Sequence, residues 1–191
     1  MHFLGISGSL RRQSFNTAAL RACAKLLPAG GTMELADISG IPLYNEEIRE
    51  QGLPASVQKL REQITAADAL VIATPEYNYS MPGVLKNAID WASRPPSQPF
   101  DGKPIALLGA TPGGLGTSRS QYHLRQVFVY LNGQILNKPE VMISTAPTKF
   151  DAQGELHDTA TADHLRTMLT ALADWSSLLT AGASARAGEK T

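Results

Sequence analysis

Gly5-Ile6-Ser7-Gly8-Ser9-Leu10-Arg11-Arg12-Gln13-Ser14-Phe15-Asn16-Thr17 follows an apolar run that begins at Phe3 and leads into a helical pattern from Ala18 to Leu27. That order reads as strand, loop and helix start. A helix leaves its first N–H groups without intrahelical partners and its macrodipole adds positive partial charge there, so the stretch is a candidate anion site. Gly8 permits a close backbone turn, Ser9 and Ser14 offer hydroxyls, Asn16 can cap or donate, and Arg11 or Arg12 can supply charge-assisted hydrogen bonds. The same residues also suit an ordinary connection in which serine and asparagine act only as helix caps. The position near the start of an alternating strand and helix chain favours binding.

Composition narrows what such a site serves. The 191 residues are 43% hydrophobic, enough for one sizeable core, and the patterned part, 1–179, reads as a single domain. Seventeen Lys and Arg against seventeen Asp and Glu give no net charge, which argues against a non-specific binder of nucleic acid or of a membrane surface. Local arginines are therefore read as sites. Cys23 is the single cysteine, so no internal disulfide forms, no cysteine metal site is expected and a reducing cytoplasm fits. No run is long and apolar enough to span a bilayer, and the opening residues lack a secretory pattern.

Outward from the first loop, Pro28 to Gly31 stops the helix and Met33 to Ile38 alternates weakly, as a second strand would. Ile41 to Leu53 reads as a long exposed loop that shapes either a site or a subunit contact. Val57, Leu60 and Ile64 mark a helix after Pro54. Ala69-Leu70-Val71-Ile72-Ala73-Thr74 is continuously apolar, as expected of a central parallel strand covered on both faces. At its carboxyl end stands Pro75-Glu76-Tyr77-Asn78-Tyr79-Ser80-Met81-Pro82-Gly83, followed by a helix from Val84 to Ala92. In open α/β sheets ligands bind outside the carboxyl ends of the strands, so the two loops should meet there. Tyr77 and Tyr79, with Asn78, suit a flat heteroaromatic ring; a subunit interface uses the same residue types.

Taken together, Gly8-Ser9-Leu10-Arg11 with Ser14 and Asn16, then Thr74-Pro75-Glu76-Tyr77-Asn78-Tyr79-Ser80 and Lys86-Asn87-Ala88-Ile89-Asp90-Trp91, resemble the NAD(P)H-dependent FMN reductase family, and most of all its bacterial quinone and chromate reductases. The resemblance runs from Phe3 to about Leu179. It implies a flavodoxin-like three-layer α/β/α sandwich with a five-stranded parallel sheet, bound FMN, NADPH or NADH as co-substrate, and a homodimer or homotetramer. It also implies site residues. Ser9, Arg11, Ser14 and Asn16 match the phosphate loop, with Leu10, Arg12, Gln13 and Phe15 in the same loop. Pro75, Glu76, Tyr77, Asn78 and Tyr79 fall in the flavin-ring loop, and Thr111 matches a position that supplies a hydroxyl beside the flavin. For Glu76 a second role stays open, organising an arginine or a neighbouring subunit.

Further along, Lys103 to Leu108 gives a fourth strand, and Gly109-Ala110-Thr111-Pro112-Gly113-Gly114-Leu115-Gly116-Thr117-Ser118 a third loop on the same rim. Gly114-Leu115-Gly116 is no dinucleotide fingerprint, because Arg119 stands where the last glycine of G-x-G-x-x-G belongs. Tyr122 to Leu131 reads as a helix, Gln134 to Leu136 and Val141 to Ile143 as the last strand region, and Thr161 to Leu179 as a final helix with Leu165, Met168, Leu169, Leu172 and Trp175 on one buried face. Residues 180–191 are expected to be a disordered tail. No P-loop, H-E-x-x-H or G-x-S-x-G motif is present, and the four histidines are scattered without persuasive partners.

The expected chemistry is ping-pong transfer of hydride from NAD(P)H through FMN to a quinone, with chromate or azo compounds as side acceptors and no catalytic side chain, since the flavin carries the reaction. Backbone donors near Asn78 and Thr111 are expected to stabilise negative charge on the reduced ring. The alternative is a flavodoxin-like electron carrier or redox sensor.

Overall fold

The structure, a computed structural model, describes residues 1–188. Its sheet has the order β2-β1-β3-β4-β5, with every neighbouring pair parallel. The strands are β1 (His2–Ser7), β2 (Thr32–Ala36), β3 (Ala69–Ala73), β4 (Pro104–Ala110), β5 (Gln134–Ile135) and β6 (Val141–Ile143). Among the described residues five α-helices cover the sheet, α1 (Phe15–Lys25), α3 (Ala55–Ala66), α4 (Gly83–Ala92), α5 (Ser118–Tyr130) and α6 (Thr159–Gly188), while the short α2 (Glu46–Glu50) buries none of its residues. This is the flavodoxin-like order.

Strand β3 explains the layering. All five of its residues are buried. Ala69, Val71 and Ala73 join the layer that holds Phe3, Leu20, Cys23, Met168 and Leu172, under α1 and α6. Leu70 and Ile72 face the opposite layer, with Ile64, Leu85, Ile89, Leu124 and Phe128 from α3, α4 and α5. Alternation sends successive side chains to opposite faces, and here both faces are apolar, so the strand reads as an unbroken hydrophobic run.

The expected fifth strand comes in two pieces. β5 pairs with Pro104 and Ile105 of β4, while β6 pairs with Leu108 to Ala110 of the same strand. Asn137-Lys138-Pro139-Glu140 lies between them, and Pro139 has no N–H to donate to a ladder. The stretch read as a long exposed loop, 41–53, is tied to α4 and carries the short α2. The carbonyl of Pro42 accepts from Trp91 Nε1 and Asn87 Nδ2, both at 2.8 Å, and Asn45 caps the short α2 by accepting from the Glu47 N–H.

At the other end a correction is needed. The disorder expected from residue 180 is not found through Gly188, because α6 continues to that residue. Ala181, Ala183, Ala185 and Ala187 carry the best helix propensity, and extending an established helix avoids the nucleation cost. Residues 189–191 lie outside the described residues. Among the described residues no helix is long and apolar enough to cross a membrane.

Cys23 sits wholly inside the α1 layer, and burial pushes its thiol up to about 12. The nucleophile is the thiolate. A disulfide reagent at pH 8 should therefore leave the folded protein unlabelled and modify one thiol after guanidinium unfolding. Fast labelling of the folded protein would contradict this placement.

Candidate active site

The first loop is closed by its own polar groups. Gly8 N–H donates to the Ala73 carbonyl at 2.8 Å, tying the loop to the end of β3. The hydroxyls of Ser7 and Thr17 pair at 2.8 Å, and the Ser14 N–H donates to the Arg11 carbonyl at 3.1 Å. Helix α1 starts three residues earlier than the apolar pattern suggests, because Ser14 caps it by accepting from the Thr17 N–H. Phe15 and Asn16 thus fall in the first turn, where backbone N–H groups have no intrahelical partner.

Asn16 differs from its sequence reading. Its side chain is buried, donating from Nδ2 to the Ala110 carbonyl at 3.0 Å and accepting the Ala110 N–H on Oδ1 at 2.9 Å. It neither caps α1 nor faces a ligand with that amide. It fastens the first helix to the end of β4, so only its backbone N–H is left for an anion.

Asn78 and Tyr79 form the tip of the second loop. Tyr77 and Ser80 exchange two backbone hydrogen bonds, each 2.9 Å, around a two-residue turn. Both tip residues have positive φ, 50° and 67°. Such a turn holds Tyr79 in a conformation that bulky residues seldom adopt, a cost of about 1–3 kcal/mol of the kind that gathers at working sites. It leaves Tyr77 and Tyr79 53% and 67% exposed, open to a ring partner. Ser80 Oγ lies 2.9 Å from His123 Nδ1 on α5 and anchors the turn.

Glu76 points away from the tip. Its carboxylate accepts from the backbone N–H groups of Arg119 and Ser120 at 3.0 and 3.3 Å and from Arg119 Nε at 2.5 Å, at the start of α5. Arg119 then lies over the Tyr79 ring, 3.6 Å from its centroid. Of the two roles open to Glu76, the contacts within the chain are those of an organiser of an arginine. The sequence reading places Arg119 ahead of the helix expected from Tyr122; α5 starts at Ser118, so the Arg119 N–H falls in its first turn. With the Glu76 side chain 10% exposed, the pair is only weakly screened. Glu76→Gln should lower stability by about 1–2 kcal/mol, read as a shift of the urea midpoint; an unchanged midpoint would count against this capping role.

Thr111 in the third loop joins two clefts. The inner cleft, about 200 Å³, is bounded by Ser9, Arg11, Ser14, Phe15, Asn16, Pro75, Glu76, Tyr77 and Thr111. The outer one, about 430 Å³, adds Asn78, Tyr79, Gly113, Leu115 and Arg119, and shares Glu76 and Thr111 with the first. Leu10, Arg12 and Gln13 turn instead to the far side of the first loop, where they line neighbouring clefts. The Thr111 N–H is not free to act on a ring, since it donates to the Ile143 carbonyl at 3.0 Å. Among the described residues no backbone partner is found for the N–H groups of Asn78 and Tyr79.

The inner cleft gathers two serine hydroxyls, a guanidinium and first-turn N–H groups, a donor set of the kind that suits an anion, and shares the walls Glu76 and Thr111 with a space lined by Tyr79. Against this geometry, the family described as NADPH-dependent FMN reductase matches residues 1–148. The chain belongs to this family. It is 62% identical over 172 residues to the NAD(P)H-dependent FMN reductase of Pseudomonas aeruginosa, covering 90% of this chain and 93% of that one. To the quinone reductase of Escherichia coli strain K12 it is 48% identical over 171 residues, 88% of this chain and 91% of that one. Among solved structures it resembles FerB, a flavoenzyme NAD(P)H:(acceptor) oxidoreductase from Paracoccus denitrificans, with a TM-score of 0.84 and 34% identity over 92% of this chain and 97% of that one.

Proposed function

We propose that this protein is an FMN-dependent NAD(P)H oxidoreductase that passes reducing equivalents from NAD(P)H to quinones. The observation that carries the reading is that the two clefts share the walls Glu76 and Thr111, which sets an anion-type donor set beside a tyrosine-flanked opening. Ser9, Arg11, Ser14 and the first-turn N–H groups of Phe15 and Asn16 would hold the phosphate of FMN. Tyr77, Asn78, Tyr79 and Thr111 would border its ring. When bound, the isoalloxazine supplies hydride acceptance and donation, so no side chain of the protein has to act as base or nucleophile.

The chain's own part is to bind, orient and expose. The free N–H groups at Asn78 and Tyr79 are preorganised donors for a ring oxygen or nitrogen, and the Thr111 hydroxyl takes the place expected of the Thr111 N–H. Arg119, held by Glu76, adds a positive charge beside Tyr79. The open, aromatic edge suits successive stacking of nicotinamide and quinone, as ping-pong exchange requires. Chromate and azo compounds would react as further acceptors at the same edge.

The catalytic unit in this reading is the 1–179 domain, cytoplasmic and assembled as a homodimer or homotetramer. Tyr122, Val129 and Tyr130 support the assembly, being 52%, 81% and 88% exposed along α5, Tyr122 one turn from the end that borders the outer cleft and the other two at the far end of the helix. An anaerobic stopped-flow experiment tests the function. The flavin band should bleach with NADPH or NADH and return on adding a benzoquinone. Failure of FMN to bind would remove the reading. Binding without reduction by either nucleotide would replace it with an electron carrier or sensor.

A further inference from the structure

The third loop is fastened at both legs. On the first, the Thr111 N–H donates to the Ile143 carbonyl, the Ala146 N–H to the Thr111 carbonyl and the Thr145 N–H to the Gly113 carbonyl, each at 3.0 Å. On the second, Gln121 of α5, 1% exposed, presents Nε2 to the Val141 carbonyl at 3.0 Å, the Thr117 hydroxyl at 3.3 Å and the Gly116 carbonyl at 3.4 Å. Gly116 packs so closely on β6 that a Cβ there would lie 2.5 Å from the Met142 carbonyl carbon. Gly116 and Thr117 both hold positive φ, 57° and 68°. Such residues persist where the surroundings over-determine them, so the legs keep the tip in one place. Between them stands Leu115, 56% exposed. Among the described residues that border the outer cleft it brings the one aliphatic side chain, its loop neighbours being glycines and threonines. A lone exposed leucine is ordinary on a protein surface. One held on a fixed tip beside a tyrosine-flanked cleft is a prepared contact for an apolar ligand, because little has to be ordered when it is covered.

We propose that Leu115 sets the preference among electron acceptors, retaining an apolar fused-ring quinone and adding nothing for a small hydrophilic oxidant, and that Gln121 is the positioning residue that holds it there. The inference rests on the reductase reading and adds to it the residue that discriminates. Tyr79, on the second-loop side of the cleft, offers a face to any flat ring and so distinguishes poorly between them. A leucine contact scales with the apolar area it covers, and therefore favours the larger and more apolar acceptor. Arg119, lying over Tyr79, acts in the other direction by drawing anions to the same cleft. An exchange at Leu115 leaves that charge in place, so a comparison of an apolar with an anionic acceptor isolates the leucine.

The oxidative half-reaction tests this without a nucleotide. The full-length, FMN-loaded protein is reduced anaerobically with an equivalent of dithionite and mixed by stopped flow with menadione, a methylated naphthoquinone, or with ferricyanide. Menadione takes two electrons and two protons and becomes the hydroquinone, while each ferricyanide ion takes one electron, so that two are consumed. The ratio of the menadione to the ferricyanide second-order rate constant should fall about tenfold in Leu115→Ala, the size of effect that one or a few methylenes have in an apolar site. Leu115→Met, which keeps the volume, should recover most of that fall. Gln121→Met should give part of the same fall, and the double variant no more than Leu115→Ala alone, as expected of a residue that acts through Leu115. Because Leu115 sits on an exposed tip, Leu115→Ala folds whether or not Gln121→Met does. An unchanged ratio in Leu115→Ala overturns the proposal. FMN binding weakened more than about threefold overturns it too, by assigning Leu115 to the cofactor, and losses that add in the double variant overturn the role of Gln121. If neither NADPH nor NADH bleaches the parent protein while the ratio still falls in Leu115→Ala, the reductase reading fails and the acceptor contact stands.

Discussion

Replacing Gly109 by alanine should lower stability by about 3 kcal/mol and Tm by about 10 °C. A Cβ at this position would lie 1.7 Å from Thr117 Oγ1 and 2.5 Å from the Thr74 carbonyl oxygen. Neither neighbour is a flexible tip. Thr117 is buried at the start of α5, and the Thr74 N–H is bonded to Leu108, on the strand that carries Gly109. Relief therefore means moving the start of α5 away from β4. That start holds Arg119 and Ser120 against Glu76, so the disturbance reaches the second loop and should weaken FMN binding as well. Thr117 has φ of 68°, a conformation glycine adopts freely. The double variant Gly109→Ala with Thr117→Gly should regain about half the lost stability, because the contact with Thr74 remains. Melts of the three proteins check both steps: parental stability in Gly109→Ala would contradict the close packing, and no regain in the double variant would exclude Thr117 as the obstacle.

The same region shows which parts of the molecule can be read from residues alone. β3 was legible because burial on both faces leaves an unbroken apolar run, and the loops after β1, β3 and β4 were legible because a parallel sheet brings its carboxyl ends to one rim. Side-chain assignments within those loops were less so. Asn16 has the composition of a cap or a ligand donor, yet its amide is taken up by Ala110, a residue 94 positions away. The Thr111 N–H is lost to Ile143 in the same manner. Both partners are tertiary, and no local pattern announces them. Likewise Leu10, Arg12 and Gln13 turn to the far side of the first loop, a direction that no local pattern announces. The helix beyond residue 179 was missed for a different reason: an alanine-rich stretch without an apolar face looks unable to pack, but as the continuation of α6 it needs only to propagate.

Ser14→Asp should weaken FMN binding at least about a hundredfold while leaving the fold in place. Ser14 caps α1 through the Thr17 N–H, and aspartate caps as well as serine, with a charge that suits the positive end of the helix. The capping contact alone would thus predict little change in Tm. The proposed phosphate, however, sits on the same turn. Two unit charges about 5 Å apart at an effective dielectric of about 20 repel by about 3 kcal/mol, which is about a hundredfold in affinity before the second phosphate charge is counted. Ser14→Asn is the control, since asparagine caps equally and carries no charge; its FMN affinity should remain within severalfold of the parent. Fluorescence titration of FMN and thermal melts on both variants give the two readings. Parental affinity in Ser14→Asp would place the phosphate elsewhere. Affinity lost in Ser14→Asp and kept in Ser14→Asn separates charge from capping, which Ser14→Ala cannot do because it removes the cap and a donor together.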